Sequence, residues 1–432
     1  MPKPLADFVQ SEAHSGVVLM AFAIAAIVWA NSPWAAGYFR LWQIPLNLGL
    51  GDWTTSMSLH QWVNDGLMAL FFLLVGLEIK RELLIGELSS RSKAALPVIA
   101  ALGGMVVPAL IYVAFNAGTR TARGWGIPMA TDLAFALGAL ALLGTRVPYP
   151  LKVFLAAVAI ADDLGAVIVI AIFYTSGLNW TAVGAMALCL IVLLGMNRAV
   201  VRTPLAYAAV GLLLWIATLN SGIHATIAGV LLAMFIPAKV YLNPGEFASK
   251  AQETLEDFEG DTSLMNEDRQ TAIRDLEQAC EKAQMPLERV EDALGPWVRF
   301  GVMPVFALAN AGVAFGGFAE ALQTKVALGI LLGLVIGKPV GIMLAAWLSV
   351  RSGLGALPAG VSWKQLAGVG VLAGIGFTMS LFIANLAFVD EPTLRAIKVA
   401  ILLASVVAGC SGFGWLALAS RSTAAAKAAS VP

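Results

Sequence analysis

Long apolar stretches separated by short polar segments organise the chain. Twelve such stretches centre near residues 23, 70, 105, 134, 162, 190, 211, 230, 306, 337, 377 and 407. Each approaches the ~20 residues that an α-helix needs to cross bilayer hydrocarbon. The pattern predicts an all-α polytopic membrane protein of about 12 transmembrane helices, one membrane domain over residues 1–432. Ahead of the first apolar run, Gly16 to Ala30, stands Lys3 against Asp7 and Glu12. That flank predicts an uncleaved first membrane helix rather than a cleaved leader.

Two segments break the pattern. "QIPLNLGLGDWTTSMS" alternates apolar and polar residues around a Gly-rich turn, which reads as a β-hairpin on the outside face, with an irregular loop as the alternative. Residues 243–292 hold 14 acidic against 5 basic residues and form an acidic cytoplasmic insertion between spans eight and nine. Within it, "AIRDLEQACEKAQ" sets Ile273, Leu276, Ala279, Cys280 and Ala283 on one helical face. Its first half is expected to be disordered.

Composition sharpens the class. With 59% apolar residues, 12% charged residues and a mean hydropathy of +0.82, the chain lies outside the range of soluble domains. Net charge is zero, but its distribution is not even. With the first segment inside, the cytoplasmic segments collect 20 of the 27 Lys and Arg, the outside segments six, and one lies within a span. This bias places both termini in the cytoplasm. Cys189, Cys280 and Cys410 are far apart and suggest neither a disulfide framework nor a metal site. No phosphate loop, zinc motif or nucleic-acid patch is present.

Span order carries further information, because alternating topology gives spans three to five and ten to twelve opposite starting sides. Each group has a Gly-interrupted middle member, "GWGIPMATDLAFALG" in span four and "GVLAGIGFTMSLF" in span eleven. Paired interrupted segments in inverted halves point to a transport site at the bilayer midplane.

Charges lie at that level. Asp162 and Asp163 fall at the middle of span five, Lys338 at the middle of span ten, and Asp132 near the middle of span four. Each costs roughly 2.5 to 3.5 kcal/mol at a helix centre. They are therefore expected to face one another or a wet cavity. Neighbouring helix positions diverge by about 100°, so one aspartate can pair with Lys338 while the other faces an open cavity. Asp163, Asp162 and Thr131 could offer sodium the oxygens that a hard cation prefers. A proton competing for the same oxygens would couple the two fluxes. Broken helices also leave two positive and two negative helix ends in the membrane core. Asp132 is suited to the positive ends; Lys338 is a candidate for a negative end, in competition with its pairing to Asp162.

"ATDLAFALG", "AIADDLGAV", "GLEIKREL", "SGIHATIAG", "PVFALANAGV", "GKPVGI" and "AGIGFTMSLFIANLAF" resemble the signature segments of the bacterial NhaA-type sodium/proton antiporters. The resemblance implies electrogenic exchange of Na+ or Li+ for protons across the cytoplasmic (inner) membrane, with no cofactor and no enzymatic activity. It makes Asp163 the principal ion-binding carboxylate and Asp162 the carboxylate paired with Lys338. Thr131 and Asp132 would belong to a crossing of extended chains between spans four and eleven. It also implies homodimers joined by the outside hairpin near 44–58. Glu78, Lys80, Arg81 and Glu82 match a region linked to pH response, and His224 matches another such position; a solvated helix end and a packed histidine are the plainer readings. Asp65, beside Asn64, reads as structural. In "VEDALGPWV", Asp292 and Gly295 stand where other members carry histidine, so carboxylates could govern this loop's pH response. A cation channel and an intramembrane aspartyl protease are the competing functions; adjacent aspartates on one helix and the absence of a G-x-G-D segment oppose the protease.

Overall fold

The computed structural model describes residues 3–50, 53–175, 177–201, 203–239, 244–259, 267–316 and 318–429. Helix α1 (Lys3–Ala30) turns by 113° into α2 (Ala35–Gln43). Pro33 lies in this turn, where the residue before a proline disfavours helix, and Asn31 donates its side-chain amide to the Ile27 carbonyl at 2.8 Å.

Strands β1 (Pro45–Leu50) and β2 (Trp53–Ser58) follow. They pair antiparallel, with Pro45 opposite Ser58 and Leu46 opposite Met57. The turn at 51–52 lies outside the described residues. Ser58 closes β2 and opens α3 (Leu59–Gln61) through a reciprocal cap with Gln61, satisfying donors that a helix start leaves open. A π-turn over Trp62–Leu67 leads into α4 (Met68–Leu84), followed by α5 (Arg91–Asn116).

The next span is not one helix. A 3-10 segment over Arg120–Met129 gives way to extended backbone at Ala130 and Asp132, and α6 (Leu133–Leu142) starts afresh. Helix α7 (Tyr149–Phe173) is buried around much of its circumference, as a helix at the centre of a bundle must be. By contrast, α8 (Trp180–Arg198) buries only Leu193 among its described residues and lies at the periphery. Helices α9 (Pro204–Leu219) and α10 (Ile227–Phe235) come next.

Helices α11 (Pro244–Glu259) and α12 (Glu267–Ala283) occupy the acidic insertion; Asn243 and residues 260–266 lie outside the described residues. The expectation of disorder in the first half is corrected by α11, which packs along α12. Phe247, Ala251 and Thr254, at i, i+4 and i+7, are withdrawn from solvent, a stripe too weak to stand out in sequence. On α12, Leu276, Ala279 and Ala283 turn inward, whereas Ile273 and Cys280 stay exposed.

Helix α13 (Pro286–Trp297) continues through a π-turn over Val298–Val302 into α14 (Met303–Asn310). After α15 (Phe318–Leu322), α16 (Lys325–Leu332) passes through a third π-turn over Gly333–Gly337 into α17 (Lys338–Arg351). The latter two π-turns sit just ahead of a proline, Pro304 and Pro339, whose ring clashes with the carbonyl four residues earlier and removes a helical donor. Helices α5 and α17 cross closely at Gly103 and Gly341, where a Cβ on either residue would collide with the other's carbonyl. Small residues at a crossing are the usual means of close approach between membrane helices. Finally α18 (Trp363–Leu372) and α19 (Phe377–Ala387) meet at a 45° break, and α20 (Glu391–Ala429) closes the chain.

Seven helices among the described residues are long and apolar enough to cross a bilayer, or nine if each bent pair is one span. The molecule is thus an all-α polytopic membrane protein with one small β-ladder. Some of the expected spans fall short by length: α10 has nine residues, about 14 Å at 1.5 Å each.

Candidate ion-binding site

The two broken helices meet at their breaks, extended at Ala130 and Asp132 on one side and formed by the turn after α18 on the other. The Asp132 N–H donates to the Ile375 carbonyl at 2.7 Å, joining the break before α6 to the break before α19. Asp132 caps both new helices. Its Oδ1 accepts from the Phe135 N–H at 3.2 Å, and its Oδ2 accepts from the Thr378 N–H at 3.0 Å and from the Thr378 hydroxyl. One carboxylate thereby faces the positive ends of α6 and α19, where a negative charge is favoured.

The opposite helix ends have their own partners. Lys338 donates to the Met129 carbonyl, at the close of the 3-10 segment, and to Asp162 Oδ2 at 2.6 Å. An ammonium has three donors and can do both. The sequence left pairing and end-capping as competing roles; the structure combines them. At the end of α18, the Thr131 hydroxyl lies 3.0 Å from the Ala373 carbonyl and 2.7 Å from Asp162 Oδ2. It has one proton and donates to one of them at a time.

Asp163 points elsewhere. Its Oδ1 is buried and makes no hydrogen bond among the described residues, and the same holds for Asp162 Oδ1. Asp163 lines a cavity of about 60 Å³ whose polar walls are Ser15, Glu78, Asp132, Arg299 and Thr378. At ~15 Å³ per water, this holds a few waters or a partly hydrated cation. Adjacent positions on α7 thus put one carboxylate in an ion pair and the other on a cavity wall.

The candidates for pH response separate into two places. Near the end of α4, Glu78 lies 3.6 Å from Arg299, and Arg81 lies 3.3 Å from Glu291 and 3.6 Å from Glu82. Lys80 donates to the Met234 and Ile236 carbonyls at 2.7 and 2.5 Å, capping the end of α10. Glu82 accepts from the Glu87 N–H at 2.9 Å. His224 belongs to a different group, near the start of the α4 span. It lies 3.4 Å from Asp65 and 2.8 Å from the Thr226 hydroxyl, and its ring meets Phe382.

A family model described as Na+/H+ antiporter 1 matches residues 6–416. The chain belongs to this family. It is 52% identical over 416 residues to a protein named Na(+)/H(+) antiporter NhaA from Oleidesulfovibrio alaskensis, covering 95% of this chain and 92% of the relative. The Na(+)/H(+) antiporter NhaA 2 of Sorangium cellulosum is 48% identical over 409 residues, covering 94% and 87%. The Na(+)/H(+) antiporter NhaA of Acidithiobacillus ferrooxidans is 49% identical over 429 residues, covering 98% of each chain.

Within this family member, three site residues escaped the sequence reading. Thr378 follows the Gly-rich break of span eleven, as Asp132 follows that of span four, and this matching position was its available signal. Arg299, in "PWVRFGV", counted only as a loop charge. Glu291 was one acidic residue among many in the insertion.

Proposed function

We propose that the chain is a sodium/proton antiporter of the bacterial cytoplasmic membrane, exporting Na+ or Li+ in exchange for protons. It is a transporter and not an enzyme. Its substrates are Na+, Li+ and H+, its surroundings are lipid, and it needs no cofactor. Membership of the family over nearly the whole chain supports the reading. The observation that carries it is the division of labour on α7. Asp162 is neutralised by Lys338, while Asp163 keeps an oxygen that has no hydrogen-bond partner among the described residues on the wall of a small polar cavity.

In this reading Asp163 is the principal ligand, with Asp162 and Thr131 contributing oxygens when the Lys338 contact loosens. Sodium and a proton compete for these oxygens. Alternating access by both loaded forms, but not by the empty one, then couples the fluxes electrogenically. The matched breaks at Asp132 and Gly376 support inverted repeats of spans three to five and ten to twelve within twelve spans. Both termini and the insertion at 243–292 lie in the cytoplasm, the β-ladder lies outside, and two copies pair through it.

Sodium-induced dequenching of a pH dye in everted vesicles tests the reading. Wild type should exchange, and Asp163→Asn should insert normally but not exchange. Equal activity in the variant removes Asp163 from the mechanism; passive conductance without proton coupling replaces the antiporter with a channel.

A further inference from the structure

A second cavity, of about 240 Å³, lies where the β-ladder joins the bundle. Its walls come from α2, the close of β2, the ends of α14 and α19, and the first two turns of α20, and it shares no described lining residue with the Asp163 cavity.

One face of α20 carries its charge. Glu391, Arg395 and Lys398, at i, i+4 and i+7, all line the cavity. Glu391 and Arg395 are exposed, whereas Lys398 is half-buried. Among the described residues the side chains of Arg395 and Lys398 make no hydrogen bond and no ion pair. Three other polar side chains of the wall are committed elsewhere. His60 and Asn385 both meet Asn310 Oδ1, at 3.0 and 2.7 Å, and the Tyr38 hydroxyl donates to the Leu308 carbonyl at 2.7 Å. Like charges three residues apart on a helix repel each other, and a partly desolvated ammonium without a counter-ion is costly. With one carboxylate against two cations, the wall carries a net positive charge that an anion entering from water would satisfy.

We infer that this cavity is a phosphate-binding site, with Lys398 as its inner cation and Arg395 as its outer one. A phosphate group offers three strong acceptor oxygens, enough for a guanidinium fork and an ammonium at once. The space far exceeds the roughly 10 to 15 Å³ that one water needs, so it admits a tetrahedral oxyanion with part of its hydration. Tyr38 and Trp42 on the same wall are residues of the membrane–water interface, where both a free phosphate and the phosphate of a lipid headgroup are within reach. Such a site stands apart from the sodium and proton chemistry at Asp163.

Thermal melts of the delipidated full chain in detergent, in potassium salts at neutral pH and constant ionic strength, test the site. Replacing chloride by inorganic phosphate should raise the wild-type melting temperature by about 2 to 4 °C, as a ligand of the folded state does. Lys398→Gln should lose that shift. Arg395→Gln should need about tenfold more phosphate for half of it, the loss of one charge-assisted contact. Dihexanoyl-phosphatidylglycerol, titrated in the same way, separates the two sources. A Lys398-dependent shift at lower concentration than inorganic phosphate requires assigns the site to a lipid headgroup, and the reverse order assigns it to free phosphate. Shifts that persist undiminished in Lys398→Gln are the general effect of an excluded salt or added amphiphile and overturn the site, as does the absence of any shift in wild type. If Lys398→Gln fails to insert, Arg395→Gln, at an exposed position, decides: an unchanged half-effective concentration of both ligands overturns the site.

Discussion

Lys338 Nζ lies 2.6 Å from Asp162 Oδ2, and both side chains are fully buried. The same ammonium serves the Met129 carbonyl, so it stabilises an aspartate and a helix end together. Removing one member of a buried ion pair leaves the other charge uncompensated, a loss of ~3 to 5 kcal/mol. Lys338→Met should therefore lower the thermal stability of the detergent-solubilised protein sharply. Lys338→Arg, which keeps the charge, should lower it less. Melting curves that do not separate Met from wild type would remove the structural part of the lysine's role.

Asp132 serves two helix starts with one carboxylate. Loss of a cap costs ~1 kcal/mol, and an unbalanced helix end in a buried setting costs up to ~2 kcal/mol more. Asp132→Ala should therefore destabilise by roughly 2 to 4 kcal/mol. Asp132→Asn keeps one acceptor and should lose about half as much. Thermal melts of the two variants against wild type check the ordering, and equal melting temperatures for Ala and Asn contradict it.

The adjacent aspartates were legible because an uninterrupted apolar run makes any charge conspicuous. The pairing of one of them with Lys338 was legible too, since a midplane lysine has few possible partners, but its assignment to Asp162 came only from the family resemblance. The crossing itself was expected only from the family resemblance, and its contact with Lys338 could not be read from the residues. Lys338 and Met129 are 209 residues apart, and no local pattern announces that a 3-10 segment ends beside span ten. Thr378 was hidden for a related reason: a threonine in a membrane helix ordinarily bonds its own preceding turn. Residues 78, 80, 81 and 82 read as one cluster, but a helix end points them in several directions. Lys80 went to the carbonyls of α10 and Arg81 to Glu291.

A two-stranded ladder has two edges, each with backbone N–H and C=O groups that the pair itself leaves open. Such edges are templates for pairing with another chain, and an isolated hairpin is only marginally stable in water. Exposed Ile44 and Leu46 add apolar surface at its base. Deleting residues 45–58 and bridging the gap with a short Gly/Ser linker should convert a dimer into a monomer in detergent, with the fold retained. Light scattering with detergent correction reads the mass. An undiminished dimer means that the helices, not the ladder, hold the copies together.

Glu291, at the approach to the span that carries Arg299, offers a titrating group in the neutral range. Its Oε1 lies 3.3 Å from Arg81, while its buried Oε2 makes no hydrogen bond among the described residues. Burial pushes its carboxyl up to about 7; Arg81 opposes the shift, Glu78 and Asp292 add to it, and Arg299 again opposes it. The folded value therefore exceeds the ordinary glutamate value of about 4.3. The fold's preference for the neutral acid is complete below that ordinary value and is lost as pH rises through about 7. Two consequences have fixed signs. Relative to Glu291→Gln, which stays neutral, wild type should lose thermal stability as pH rises from about 4.3 to about 7 and level off at the lower value above it, where it holds a buried charge. Ionisation also strengthens the pull on Arg81 and the repulsion from Glu78, which lines the Asp163 cavity. Exchange by wild type should therefore change with pH around a midpoint near neutrality, and Glu291→Gln should flatten that step. Proteoliposome assays from about pH 6 to about pH 9 decide the matter, since one carboxyl titrates over about two units around its midpoint. A flat wild-type profile, or an unaltered step in Glu291→Gln, shows that this carboxylate does not control transport.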